Sequence, residues 1–138
     1  MSARSLLAIA SACLALLAAT TTTNHAAQST YPTKPIRLII PFPPGGSADP
    51  LGRAFGQWFT DKFGVTVGAD NRPGAGTAIA HTLAARAAPD GYTLLLGASS
   101  GMTTNPAFGT KLDYDSVKDY AHVGPVAYVP QLVVVHPG

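Results

Sequence analysis

Pro41-Phe42-Pro43-Pro44-Gly45-Gly46-Ser47-Ala48-Asp49-Pro50 joins an apolar run, Ile36 to Ile40, to an amphipathic one, Leu51 to Phe63. Prolines followed by paired glycines neither continue a strand nor begin a helix, so the stretch reads as a tight strand-to-helix loop. Asp49-Pro50 then reads as an N-cap with proline at the first helical position, where its missing N–H costs nothing. The expectation is a row of free backbone N–H groups from about Gly45 to Asp49, aimed along the helix axis. Unsatisfied donors and the positive end of the helix dipole point the same way there, which suits a carboxylate.

Outward from that loop the pattern repeats. Ile36-Arg37-Leu38-Ile39-Ile40 is nearly continuously apolar, as a strand covered on both faces should be. Leu51, Ala54, Phe55, Trp58, Phe59 and Phe63 recur at three- and four-residue steps, predicting one buried helix face that ends at a left-handed Gly64. Val65-Thr66-Val67 reads as a second strand, and an alanine-rich helix is expected from about Thr77 to Ala88. Pro89-Asp90-Gly91 supplies a turn, and Tyr92 to Leu96 a third strand. Upstream, Tyr31 to Pro35 is an extended lead-in; downstream, Asn105-Pro106 is expected to interrupt any long helix. Asp115 to Tyr120 reads as one helical turn or two, and 123–135 as extended.

Strands alternating with helices imply an α/β fold with a parallel sheet and right-handed crossovers. The loops after the strand C-termini then share one edge, so Gly45 to Asp49, Asn71 to Thr77 and Gly97 to Gly101 are expected to converge.

The first residues carry one charge, Arg4, and an apolar run of 14 residues from Leu6 to Ala19. A membrane-spanning helix needs about 20 residues, so residues 1–27 read as a secretory signal peptide cleaved near Ala27-Gln28. Its Cys13 is the only cysteine, which leaves the exported chain without disulfides or thiolate metal ligands. Nine Lys and Arg stand against seven Asp, with no Glu and no basic cluster. Nucleic acid is therefore unsupported as a partner. His25, His81, His122 and His136 lack metal-ligand spacing, and no metal or other cofactor is expected.

Gly74-x-Gly76 suggests a dinucleotide loop, but the third glycine position is Ile79, and no Gly-Lys pair exists for a Walker-type loop. Arg72 could clamp a carboxylate in a bidentate fork or brace its own loop on backbone carbonyls. Gly97-Ala98-Ser99-Ser100-Gly101 matches the G-x-S-x-G nucleophile elbow after a strand, with Asp113, Asp115 or Asp119 and then His122 or His136 downstream. A secreted serine hydrolase using Ser99 is accordingly the alternative function. Hydroxyl donation by Ser99 and Ser100 to a bound oxyanion is the reading preferred here.

Tyr31-Pro32-x-Lys34-Pro35-Ile36-Arg37, the Pro41 to Gly46 loop with Asp49, Asn71-Arg72-Pro73-Gly74-Ala75-Gly76, Ala88-Pro89-Asp90-Gly91-Tyr92-Thr93-Leu94 and Tyr114-Asp115-x-Val117-Lys118-Asp119 occur in order across the exported chain. Together they resemble the extracytoplasmic receptors of tripartite tricarboxylate transporters, the Bug or TctC-like family. The resemblance implies a type II periplasmic-binding-protein fold, with a parallel sheet and helices on both faces. It implies a non-enzymatic, monomeric, periplasmic receptor that captures a small carboxylate for membrane permease subunits.

Carried over by position, Gly45, Gly46, Ser47 and Ala48 with Ser99 and Ser100 would bind the ligand. Asp49, Asn71, Arg72, Gly74, Gly76 and Thr77 would brace the loops around it. Ser47-Ala48 and Pro50 depart from the family's usual Gly or Thr and aliphatic residue, which bears on specificity. Residues 28–125 would form the first lobe and 126–138 the start of a hinge crossing. The second lobe has no counterpart, so the chain is expected to be a fragment or truncated copy.

Overall fold

The computed structural model describes residues 31–130, 132 and 134–136; the expected signal peptide, Cys13 and the cleavage point lie outside the described residues. Strand β1, Ile36–Ile40, is followed by helix α1, Asp49–Phe63, strand β2, Val67–Asn71, a tight turn at Ala75–Thr77, helix α2, Ala78–Ala85, and strand β3, Thr93–Leu95. The sheet is parallel in the order β2-β1-β3. Stepping from β1 to β2 and then back across β1 to β3 with right-handed crossovers puts α1 and α2 on opposite faces. This is the α/β layering expected from the alternating pattern.

β1 is central because it is apolar throughout except at Arg37. Ile36, Leu38, Ile39 and Ile40 are each no more than 2% exposed, and burying such side chains stabilises by roughly 1.5–3 kcal/mol apiece. Leu38, Ile40 and Leu96 form the core under α1, with Phe42, Phe55, Val67 and Leu94 packed around them. Ile39, one residue out of phase, faces the other side of the sheet.

β2 begins two residues later than expected. The strand pairs Ile36 with Val67 and Ile40 with Asn71, so Asp70 and Asn71 belong to its end and not to the loop beyond. α2 is also shorter than expected, ending at Ala85 with Arg86 as its C-cap. Gly64 caps α1 in the left-handed conformation, φ 71°, as expected.

The aromatic face of α1 is corrected by the packing. The residues buried along the helix are Asp49, Gly52 and Gly56, while Trp58 is 52% exposed and Phe63 44%. A Cβ at Gly52 would come within 2.6 Å of Ile40 Cδ1. The helix backbone thus lies directly on β1, and the large rings have no room beneath it. Phe55 still reaches the core, whereas Trp58 and Phe63 pack edge to face outside it.

Residues 100–107 are helical where a break was expected. A π-helical turn, Ser100–Thr104, runs into the short helix α3, Asn105–Ala107. Pro106 sits in the first turn of α3, where a missing N–H is tolerated. Asp115 to Tyr120 makes one turn, closed by the Asp119 N–H to the Asp115 carbonyl at 3.1 Å. No helix among the described residues is long and apolar enough to cross a membrane.

Candidate functional site

The loops after β1, β2 and β3 meet at the C-terminal edge of the sheet, and named side chains tie them together. In the first loop Gly45 adopts φ +77°. Its N–H donates to Asp49 Oδ2 at 3.0 Å, and the Gly46 N–H donates to the Pro43 carbonyl at 3.2 Å. These two amides are therefore already engaged, which corrects the expected row of free donors. The Asp49 N–H is bound as well, by the Gly46 carbonyl. Among the described residues, no hydrogen bond is made by the Ser47 or Ala48 N–H. Both stand at the mouth of α1.

Asp49 is not the N-cap. Ala48 holds that position, without a side-chain cap, and Asp49 and Pro50 open the helix. The Asp49 carboxylate instead reaches back to Gly45 and accepts from Arg53 Nε at 3.0 Å and Asn71 Nδ2 at 2.9 Å. The bonds from Arg53, Gly45 and Asn71, in that order, hold its pKa down at about 2 against the opposing effect of burial. A helix-opening carboxylate bonded one turn along to Arg53 also complements the positive end of the helix.

Asn71 links the first loop to β2. Its amide donates to the Phe42 carbonyl and to Asp49, each at 2.9 Å, and its oxygen accepts from Arg53 Nη2 at 3.4 Å. Arg72 neither points at a free site nor braces carbonyls; its Nε donates to Asp70 Oδ1 at 2.8 Å. Arg37 pairs with the other oxygen of Asp70. Burial works to raise the Asp70 pKa, but the bonds from Arg37 and then Arg72 outweigh it and hold the group below the usual range.

Gly74, Ala75, Gly76 and Thr77 have φ of 125°, 47°, 57° and 77°. For Ala75 and Thr77 this left-handed backbone costs roughly 1–2 kcal/mol each, so the surroundings must impose it. The restraints are visible. Thr77 N–H donates to the Gly74 carbonyl at 2.9 Å, and Asn105 Nδ2 to the Gly76 carbonyl at 3.0 Å. His81 Nδ1 lies 2.8 Å from the Thr77 carbonyl, and Thr77 Oγ1 lies 3.1 Å from Ser100 Oγ. A carbonyl only accepts, so His81 carries its proton on Nδ1.

In the third loop Ser99 is exposed and starts the π turn, and Ser100 is turned toward Thr77. Gly101 lies against the His81 imidazole: a Cβ there would fall 2.4–2.6 Å from three ring atoms. Tyr114 stacks on the same ring at 5.5 Å and donates its hydroxyl to the Gly101 carbonyl at 2.8 Å. Four of the candidate partners for a serine hydrolase are held elsewhere. Asp113 pairs with Arg86, Asp115 accepts from the Val117 and Lys118 N–H groups, Asp119 accepts from the Asp115 N–H, and His122 lies against Tyr120. Among the described residues, no group of three or more His, Cys, Asp or Glu gathers as metal ligands would.

Of the residues singled out from sequence, Ser47, Ala48, Asp49, Asn71, Gly76, Thr77, Ser99 and Ser100 thus lie on the loops at one edge, where side-chain bonds join Asn71 to Asp49, Thr77 to Ser100 and Asn105 to the Gly76 carbonyl. Arg53, Asn105 and His81 were missed as parts of it. The four-residue spacings Asp49–Arg53 and Thr77–His81 carry a signal for two of them; nothing local marks Asn105.

The family described as tripartite tricarboxylate transporter family receptor matches residues 52–138. Protein BugT of Bordetella pertussis is 39% identical over 109 residues, 78% of this chain and 33% of its own length. A solved structure described as a periplasmic transporter superposes with a TM-score of 0.61 at 46% identity, over 64% of this chain and 30% of that one. MatC from Rhodopseudomonas palustris, solved with bound malate, gives 0.61 at 32% identity, over 64% and 30%. The chain spans about a third of the length of the curated relatives it matches.

Proposed function

Because the chain belongs to the tripartite tricarboxylate transporter receptor family, we propose that it contributes to a periplasmic solute receptor and holds a small carboxylate at the C-terminal edge of its sheet. The observation that carries this reading is the pair of N–H groups at Ser47 and Ala48, without partners among the described residues, at the mouth of a 15-residue helix. An anion there meets two donors and the positive end of the helix dipole. The exposed Ser99 hydroxyl is the third donor, brought to the same edge. Gly45 and Gly46 act by shaping the loop and admitting close approach, since their own amides are used within it. Ser100 acts through Thr77, and Asp49, Asn71, Gly74 and Gly76 hold the loops in register.

Within the same reading, residues 1–27 direct export, 28–125 are the first lobe, and 126–138 begin the crossing toward a second lobe. Permease subunits are the partner. The MatC relative holds malate, so malate is the first ligand to test. Two amides and a hydroxyl, open to water, support binding of about millimolar strength, near 4 kcal/mol. Calorimetric titration of the chain with malate and citrate is expected to give saturable binding in that range, weakened several-fold by Ser99→Ala. Absence of saturable binding by either acid would overturn the proposal, and micromolar binding would show that a second lobe is dispensable.

A further inference from the structure

His81 has no part in the donor set, yet among the described residues it is the largest polar side chain completely removed from solvent, at 0% exposure. Its Nδ1–H is taken by the Thr77 carbonyl. Its Nε2 is a buried nitrogen with no partner among the described residues. Gly101 presses on the ring, Tyr114 stacks at 5.5 Å, and Tyr120 meets it edge-on at 6.4 Å while donating its hydroxyl to the His81 carbonyl. The imidazole is thereby clamped between the start of α2, the turn at Ser99–Gly101 and the two tyrosines.

We infer that His81 is a positioning residue for the serine-bearing turn: its flat, uncharged ring seats Gly101 and the Thr77 carbonyl, so acid loosens that turn and weakens carboxylate retention. The last clause rests on the reading of this edge as a carboxylate site. Protonation would place a second N–H at Nε2, where no acceptor exists, and leave a buried charge without a counter-ion. Burial accordingly pushes the imidazole pKa down, with the Thr77 bond opposing.

The groups around the ring do not supply that counter-ion. The turn offers Ser99, Ser100 and Met102, none of which carries charge. On the facing segment, burial raises the pKa of both Tyr114 and Tyr120, which keeps them neutral. Asp113 and Arg86 are exposed and face each other at 3.6 Å, and Asp115 is paired with Lys118. Asp119 accepts from the Asp115 N–H, and the exposed His122 lies beyond Tyr120, 6.4 Å from its ring.

The test is amide hydrogen exchange on the full chain, corrected for intrinsic rates. The reporter is Met102, whose N–H donates to the Ala98 carbonyl across the turn at 2.9 Å, and the reference is Arg72, bonded to the Ile40 carbonyl in the sheet. Between pH 6.5 and 5.5, protection at Met102 is expected to fall up to about fivefold, the limit over that interval for one imidazole whose pKa is about 6.5 in the open state and depressed in the folded one. Arg72 is expected to change much less, and His81→Gln to abolish the difference, with His122→Gln as a variant that should preserve it. Equal losses at Met102 and Arg72 would make His81 a general stability element and overturn the inference. So would unchanged protection at Met102 between the two pH values, a wild-type result that decides the matter even if His81→Gln does not fold. Malate titrations at pH 7.5 and 5.5, run beside His81→Gln so that malate's own protonation cancels, extend the test to retention. If malate binds at neither pH the carboxylate reading fails, and the exchange data still decide the role of His81.

Discussion

Gly101→Ala tests the clamp beneath the serine turn by a change of sign. Gly101 lies in a helical turn, and replacing glycine by alanine in a helix ordinarily stabilises by up to about 1 kcal/mol. Here the new methyl would sit 2.4 Å from His81 Cε1, 2.5 Å from Nδ1 and 2.6 Å from Nε2. The ring has no free direction to move, because Tyr114 stacks on it and the Thr77 carbonyl holds Nδ1. Overpacking of this kind costs about 1–3 kcal/mol, and a lost Nδ1–H bond adds about 1 kcal/mol. The net expectation is destabilisation by about 1–3 kcal/mol. At roughly 4–8 °C per kcal/mol for a domain of this size, the melt should drop by about 10 °C. In a His81→Ala background the ring is gone, so the same Gly101→Ala change should stabilise or be neutral. Thermal melts of the wild type, both single variants and the double variant, followed by circular dichroism, give the coupling directly. Additive effects, or a Gly101→Ala chain that melts like wild type, would refute the packing derived for this turn.

Other substitutions probe the first two loops. Asn71→Ala deletes the donors to Phe42 and Asp49, and at about 0.5–1.5 kcal/mol net per bond it should lower stability by about 1–3 kcal/mol in urea denaturation. Asn71→Asp should be worse, because an acceptor-only carboxylate then faces Asp49; equal stability of the Asp and Asn chains would contradict the assigned bonds. The Asp49 pKa is lowered from 3.8 to about 2, so in mild acid the unfolded state binds more protons there than the folded one. Its contribution is fully present above about 4 and is lost as pH falls through about 2. Acid titration of the folded fraction should show that loss in the wild type and not in Asp49→Asn.

What could be read from the chain before folding follows from how local each cause is. β1, the Gly64 cap and the convergence of three loops rest on an apolar run, a glycine and a strand-helix alternation, all readable in place. β2 lies two residues beyond the expected strand because Val67-Gly68-Ala69-Asp70-Asn71 has little strand propensity of its own. It is a strand because β1 pairs with it residue for residue, and strand preference depends on partners more than on composition. The buried face of α1 was misassigned for a related reason. Periodicity weights large side chains, whereas Gly52 and Gly56 decide the contact by having none.

The candidate site divides along the same line. Which loops lie at that edge was legible, but Arg53, Asn105 and His81, and the state of each amide, were not. Whether Gly45 and Gly46 are free depends on Asp49 standing one residue inside the helix, where its carboxylate folds back, instead of at the cap. His81 read as an ordinary histidine because its surroundings come from Gly101, Tyr114 and Tyr120, 20 to 39 positions downstream.

The pairing of charge at this edge constrains how any anion can be held. Arg53 is bound to Asp49, and Arg37 and Arg72 share Asp70. Drawing one of these guanidinium groups onto a ligand would strip an aspartate of its partner, so the exchange returns little net energy. The remaining donors at Ser47, Ala48 and Ser99 are neutral, and each hydrogen bond to a carboxylate is worth roughly 1.5–3 kcal/mol. Immobilising the ligand consumes at least about 4 kcal/mol of that sum. What separates a weak site from a tight one is then the local dielectric, since the same bonds strengthen when water is excluded. A tight receptor built on this edge gains more from a cover over these three donors than from another positive charge beside them.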